Sequence, residues 1–384
     1  MAEKKNRQQA GISPRRILIA ACALLVCIIG IVTAVSIADA VRKRRESDRA
    51  LSSAARPALT APPVTAAETT TTERYPSAAS RTTETVEITD DRLLLCRNAA
   101  LIEVLPSGNR LIAGRSADKP IYPASLTKLM TLITFLDLYG EDQLDAPVEM
   151  TAEALDEAHA KLAACTGLAA GELCTVRDLL YGLMLPSGAD AAFMLARIAA
   201  GSETAFVTAM NKLAAEMGLA DTHFVNCTGL HDENHVSTAQ DIARLLCYAQ
   251  RNPVCAGLMQ TPEYTTPSTA QHPQGIRLAS TVFSRMSGTE LLERGYQLCI
   301  RGGKTGFTNE AGQCLATFAD NGKGRKFICV VAGCDGQEPM DAVYDTLTLY
   351  QLTERPLSGI DRIVPPDETD ISDIDITDNY SVLP

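Results

Sequence analysis

The stretch Tyr122-Pro-Ala-Ser-Leu-Thr-Lys-Leu-Met-Thr131 decides how the rest of the chain is read, because it sets a serine and a lysine three residues apart, Ser125 and Lys128. An α-helix repeats every ~3.6 residues, so side chains three apart share a face and can meet. Pro123 suits the first turn of a helix, where its missing N–H costs nothing. After it, Leu126, Leu129, Met130, Ile133, Phe135 and Leu136 make the predicted helix apolar on most sides, the pattern of a buried one. Ser125 then stands near the helix N-terminus with an amine beside its hydroxyl, as a serine nucleophile needs when its base is lysine. Ser-x-x-Lys alone recurs by chance on surface helices. Two further stretches give it meaning.

The second is Leu183-Met-Leu-Pro-Ser-Gly-Ala-Asp-Ala-Ala192, at the joint between two predicted helices, where a loop can present Ser187 into a cleft. The third is Gly302-Gly-Lys-Thr-Gly-Phe-Thr308, followed by a predicted strand over residues 313–318. Its glycines let backbone approach a ligand closely. A strand edge carrying Lys304 and the Thr305 hydroxyl can pair with an extended peptide and hold its carboxylate.

Ser-x-x-Lys, a serine loop and Lys-Thr-Gly, in that order, form the pattern of penicillin-recognising serine enzymes. Pro123-Ala-Ser-Leu-Thr-Lys128, Leu185-Pro-Ser-Gly-Ala-Asp-Ala-Ala192, Phe224-Val-Asn-Cys-Thr-Gly-Leu-His231 and Lys304-Thr-Gly-Phe-Thr-Asn-Glu-Ala-Gly312 together resemble the D-alanyl-D-alanine carboxypeptidases, the low-molecular-mass penicillin-binding proteins. The resemblance implies an α+β chain with the serine β-lactamase/DD-peptidase-like fold. In that fold a five-stranded antiparallel sheet is flanked by helices and carries an inserted helical subdomain. It also implies removal of the terminal D-Ala from peptidoglycan stem pentapeptides, with β-lactams trapping the acyl-enzyme. Ser125 would attack, with neutral Lys128 taking its proton, and Ser187 would relay that proton to the leaving amine. Backbone N–H groups of Ser125 and Phe307 would hold the oxyanion, and Lys304 and Thr305, on one strand with Gly306 and Phe307, would bind the substrate. An ordinary lysine titrates near ~10.4, and burial and the second amine of Lys304 are both expected to push Lys128 down. No metal and no cofactor are called for.

One position departs from the pattern. The family's middle motif is usually Ser-x-Asn, and here the third residue is Ala189, which removes an amide that contacts the substrate's peptide group and the lysine. Asp190 is not expected to replace it. A catalytically weak or silent peptidoglycan binder is therefore one alternative. A serine β-lactamase is another, although no Glu-x-x-x-Asn loop precedes the third motif. A zinc D,D-peptidase is a third, from a different class. His231 and His235 have helical spacing for a metal pair, but no third ligand with suitable spacing accompanies them.

The 384 residues carry a net charge of −11, which argues against a nucleic-acid partner. Residues 1–16 form a basic segment, and residues 17–40 are apolar and long enough to span a ~30 Å hydrocarbon core. An uncleaved transmembrane anchor is preferred there over a cleaved signal, whose apolar region runs only ~7–15 residues. Five basic residues on each side leave orientation undecided by charge. The family's C-terminal anchor has no counterpart, so this span is expected to attach the protein to the cell membrane, with a single pass and an extracellular catalytic domain.

Residues 41–90, rich in Ser, Thr and Pro, read as a disordered linker. The catalytic domain is placed at 91–355 and an acidic disordered tail at 356–384. Within the domain a hairpin is predicted over 99–113, helices over 153–162, 176–184, 189–200, 205–217, 238–251 and 340–352, and a late strand over 325–333. Of the twelve cysteines, Cys165 and Cys174 are near enough in sequence to suggest a staple, with pairing left open.

Overall fold

Alternation of apolar side chains along three strands builds the sheet into the middle of the domain. The computed structural model describes residues 75–76, 79–286, 296–335 and 340–363. The predicted segments 1–16 and 17–40, the linker up to residue 74 and the tail beyond residue 363 lie outside the described residues. Among the described residues no helix is long and apolar enough to cross a membrane.

The main sheet contains β1 (Val86–Glu87), β2 (Cys96–Val104), β3 (Arg110–Arg115), β4 (Cys299–Thr308), β5 (Gly312–Asp320) and β6 (Lys326–Cys334), in the order β1-β3-β2-β6-β5-β4. The pairs from β3 to β4 are antiparallel, the expected five strands. A sixth strand, β1, adds to β3 in parallel. Period-two alternation gives each strand two apolar faces. Ala100, Ile102, Ile328, Val330 and Ala332 belong to one core, and Ala99, Leu101, Phe327, Cys329 and Val331 to the other.

Nine helices are described, α1 (Lys128–Tyr139), α2 (Ala152–Ala160), α3 (Val176–Met184), α4 (Ala189–Ala200), α5 (Glu203–Glu216), α6 (Ala239–Ala249), α7 (Pro253–Gln260), α8 (Thr281–Met286) and α9 (Asp341–Tyr350). All but α9 lie between β3 and β4, forming the inserted helical part. Ile242, Leu245 and Leu246 of α6 belong to the first core, and Val343, Leu347 and Tyr350 of α9 to the second. Helix starts follow the sequence chemistry. The Thr175 hydroxyl accepts from Asp178 N–H while the Asp178 carboxylate accepts from Thr175 N–H, a full capping box for α3. The Thr238 hydroxyl caps α6 by accepting from Asp241 N–H. The predicted helix 189–200 is found with those bounds, ended by Gly201 in the left-handed region.

Two expectations are corrected, and one pairing left open is found unformed. The predicted helix at Pro123 opens instead with a 3₁₀ turn, Ala124–Thr127, so Ser125 precedes the α-helical part and Lys128 begins it. The end of the expected linker is part of the domain. Tyr75 is buried against Tyr248, Ser80 bridges to Arg110, and Val86–Glu87 is strand β1. Apolar Tyr75, Val86 and Ile88 supply the burial that the surrounding Thr-rich sequence conceals. Cys165 and Cys174 do not form a staple and both are free thiols. The ribbon pairing 147–149 with 173–175 sets Cys174 opposite Val148, whereas the Cys165 thiol turns toward Ala163 O at 3.5 Å.

Candidate active site

The three motifs converge at the free edge of β4, where two serine–lysine pairs face one cleft. Lys128 Nζ donates to Ser125 Oγ at 3.1 Å and to the Thr228 carbonyl at 2.8 Å. Lys304 Nζ donates to Ser187 Oγ at 2.9 Å and to its neighbour's carbonyl, Thr305 O, at 3.0 Å. Both lysines are buried, Lys304 fully so.

Burial decides their ionisation. Desolvation pushes Lys128 down to about 8, against the pull of the surrounding acidic groups, Asp190 among them. Lys304 is pushed well below the ordinary lysine range, first by burial and then by the charge of Lys128. Burial carries the shift of both amines, and the repulsion between them lowers Lys304 as well.

The turn that presents Ser125 is strained and clamped. Ala124 has φ +46°, a region costly for any residue with a Cβ. Two glycines hold it there. A Cβ on Gly229 would lie 1.9 Å from Ala124 O, and one on Gly306 would lie 3.2 Å from Ser125 N. Gly306 thereby lets β4 approach the nucleophile's own N–H. Ser187 is also left-handed, at φ +67°, in the loop that enters α4. The turn is fastened further by His235, whose Nδ1 accepts from Val225 N–H and whose Nε2 meets Thr127 Oγ1 at 2.7 Å. With Nδ1 accepting, the proton is on Nε2, which donates to Thr127. Burial holds this imidazole neutral by lowering it to about 4. Both nitrogens are committed, so His235 does not pair with His231 as a metal ligand. His231 instead lies edge-on to Tyr122, ring centroids 4.7 Å apart.

Thr305 and Phe307 complete the strand. The Thr305 hydroxyl is 2.7 Å from that of Thr281, while Phe307 is 58% exposed. Of the predicted residues, Ser125, Lys128, Ser187, Lys304, Thr305 and Gly306 meet at the cleft, and Phe307 borders it. Ser187 pairs with Lys304 and not with the Ser125–Lys128 pair. Ala189 is buried at the start of α4, its N–H donating to Ala164 O at 2.7 Å. Asp190 does not stand in for the missing amide, since its carboxylate accepts from Thr166 N–H and, at 2.6 Å, from Thr166 Oγ1.

Sequence reasoning gave no role to two supports. Asn226 Oδ1 accepts from Thr228 N–H, Thr228 Oγ1 and Gly229 N–H, fixing the carbonyl that orients Lys128. Thr281 joins motifs two and three, since its N–H donates to Leu185 O while its hydroxyl meets Thr305. The Asn-x-Thr-Gly run is a turn signal that could have revealed the first. No local pattern marks the second.

The profile of the peptidase S11 family, D-alanyl-D-alanine carboxypeptidase, matches residues 94–336. The D-alanyl-D-alanine carboxypeptidase DacF of Bacillus subtilis is 31% identical over 250 residues, 64% of this chain and 59% of its own length. A D-alanyl-D-alanine carboxypeptidase of Streptomyces sp. K15 is 34% identical over 214 residues, 54% of this chain and 71% of its own. The crystal structure of the Streptomyces K15 DD-transpeptidase superimposes with a TM-score of 0.58 at 26% identity, covering 68% of this chain and 98% of that one.

Proposed function

The chain belongs to the D-alanyl-D-alanine carboxypeptidase family of serine peptidases, and on that premise we propose that it removes the terminal D-Ala from peptidoglycan stem pentapeptides through an acyl-enzyme on Ser125. The observation that carries this reading is a desolvated Lys128 amine hydrogen-bonded to a hydroxyl on a strained, glycine-clamped turn. The pentapeptide adds to the free edge of β4 as an extra strand, main chain to main chain. Its terminal carboxylate meets Thr305 and Lys304, and that negative charge favours the protonated form of Lys304. Neutral Lys128 takes the proton of Ser125 as Oγ attacks the penultimate D-Ala carbonyl. The backbone N–H groups of Ser125 and Phe307 receive the oxyanion. Lys128 returns that proton through Ser187, held by the Lys304 amine, to the departing D-Ala amine and is neutral again. Water then attacks the acyl-enzyme, with Lys128 again as base. A β-lactam acylates Ser125 in the same way and leaves slowly.

Such a substrate lies outside the cytoplasmic membrane. Residues 17–40 serve this reading as the tether.

The test incubates the protein with a fluorescent penicillin and, separately, with a pentapeptide ending in D-Ala-D-Ala. Covalent label on the wild type and none on Ser125→Ala, with release of D-Ala, is expected. Label without D-Ala release identifies a silent binder, and rapid loss of label with hydrolysed penicillin identifies a β-lactamase. No label at all refutes the serine mechanism.

A further inference from the structure

At one end of the sheet's two central strands, two cysteines face each other. Cys96 of β2 and Cys334 of β6 are directly opposite in the antiparallel register. Their sulfurs and an Asp345 carboxylate oxygen all lie within 4.8 Å of one another, and the cysteines are 0% and 1% exposed. We propose that Cys96 and Cys334 are a covalent modification site, joined by a disulfide that ties the first long strand of the domain to its last.

Opposite residues of an antiparallel pair have Cα atoms ~4.5 or ~5.5 Å apart, and both spacings fall in the ~4.4–6.8 Å range a disulfide spans. Both cysteines are thiols in this structure. The register sets these two strand positions opposite each other, and the sulfurs are already neighbours. A metal fits the cluster less well. Tetrahedral zinc takes four ligands, and only three ligand atoms gather here among the described residues. The carboxylate is also already engaged, accepting from Leu95 N–H, from Cys96 N–H at 2.6 Å and from Cys334 Sγ at 3.6 Å.

The timing of the bond follows from thiol chemistry. The thiolate is the attacking species in exchange. In the folded domain, the Cys96 thiol, burial and the Asp345 charge push Cys334 well above the ordinary range. The bond therefore forms while the strands pair and is then sealed. One cysteine thiolate attacks the disulfide of an oxidising thiol–disulfide oxidoreductase and releases one of its sulfurs. The second cysteine thiolate displaces the other, so the Cys96–Cys334 bond forms as the carrier's bond breaks. The carrier leaves as a dithiol, having accepted two electrons and two protons. Every residue of the catalytic cleft, from Ser125 to Phe307, lies inside the chain loop this bond closes.

The test exports the full chain to an oxidising bacterial envelope, unfolds it without reductant, and blocks free thiols with one alkylating reagent. It then reduces the chain and labels with a second reagent. Cys96 and Cys334 carry the second label, and an unreduced digest contains their joined peptide, two hydrogens lighter than the separate peptides. Cys96→Ser moves Cys334 to the first label. Reductant lowers the urea midpoint of the wild type but not that of the Cys96→Ser/Cys334→Ser double variant. First-reagent label on both cysteines of the unfolded wild type overturns the proposal. So does retention of the second label by Cys334 in Cys96→Ser, or one equivalent of zinc released when the thiols are blocked.

Discussion

Replacing Lys128 with methionine should abolish acylation while making the domain more stable at neutral pH. Burial lowers Lys128 from 10.5 to about 8, which amounts to about 3 kcal/mol of differential stabilisation of the neutral amine. Below pH 8 both folded and unfolded chains carry the proton, and the folded state bears the whole cost. Between about 8 and 10.5 the unfolded chain binds more protons, so wild-type stability rises with pH until the cost is gone. Lys128→Met removes the charge but orphans the Thr228 carbonyl, a loss of ~1–2 kcal/mol. The variant should therefore gain ~1–2 kcal/mol at pH 7, a few degrees in unfolding midpoint, and become the less stable protein near pH 10.5. The same ionisation shapes catalysis. At pH 7 roughly a tenth of the molecules hold Lys128 neutral, about 300-fold more than an ordinary lysine allows. Acylation of the wild type by fluorescent penicillin should fall about tenfold for each pH unit below 8. Urea unfolding of both proteins at pH 7 and 10.5 checks the first claim, and stopped-time labelling from pH 5.5 to 9.5 the second. A stability difference that does not change sign with pH, or a labelling limb near 10, refutes the reasoning.

The neutral His235 predicts an acid weakness. Its folded value of about 4 lies below the ordinary 6.5, so stability is complete above 6.5 and is lost as pH falls toward 4, by up to about 3 kcal/mol. Urea midpoints across that window should slope in the wild type and flatten in His235→Gln. Gly229→Ala places a Cβ where Ala124 O stands, at a φ of +83° that alanine resists. It should cost ~2–4 kcal/mol on unfolding, and penicillin labelling of the surviving folded fraction should drop at least tenfold. Ala189→Asn restores a donor beside the substrate's peptide group. One added hydrogen bond of ~1–1.5 kcal/mol should raise kcat/KM for D-Ala release about tenfold, measured against unchanged acylation by penicillin, which lacks much of that peptide.

The placement of the motif residues was more legible in the sequence than the contacts that hold them. Ser125 and Lys128 are three apart on a locally wound segment, so spacing alone brings hydroxyl to amine, whether the turn is 3₁₀ or α. Helix α4 was readable to the residue because glycines flank it and only Asp190 and Arg197 interrupt the apolar run between them. Strands β2 and β6 were readable as apolar runs because both faces of the sheet are covered. Strand β1 was not, because a two-residue strand leaves no periodicity and its burial depends on a partner in β3. The pairing of Ser187 with Lys304, across 117 residues, has no local signature either.

That last contact changes how the missing amide at residue 189 is weighed. If Ser187 depended on an Asn side chain at 189 for its orientation, alanine there would disable it. Here Ser187 is held by its own left-handed backbone and by Lys304, while the loop beneath α4 is held by Asp190 and by Ala189 N–H. On the proposed mechanism the proton path therefore does not run through residue 189. In that mechanism alanine removes a contact with the substrate, so its effect belongs in KM and peptide selectivity more than in the reactivity of Ser125. A binder and an enzyme differ at this position only by how well the peptide is positioned.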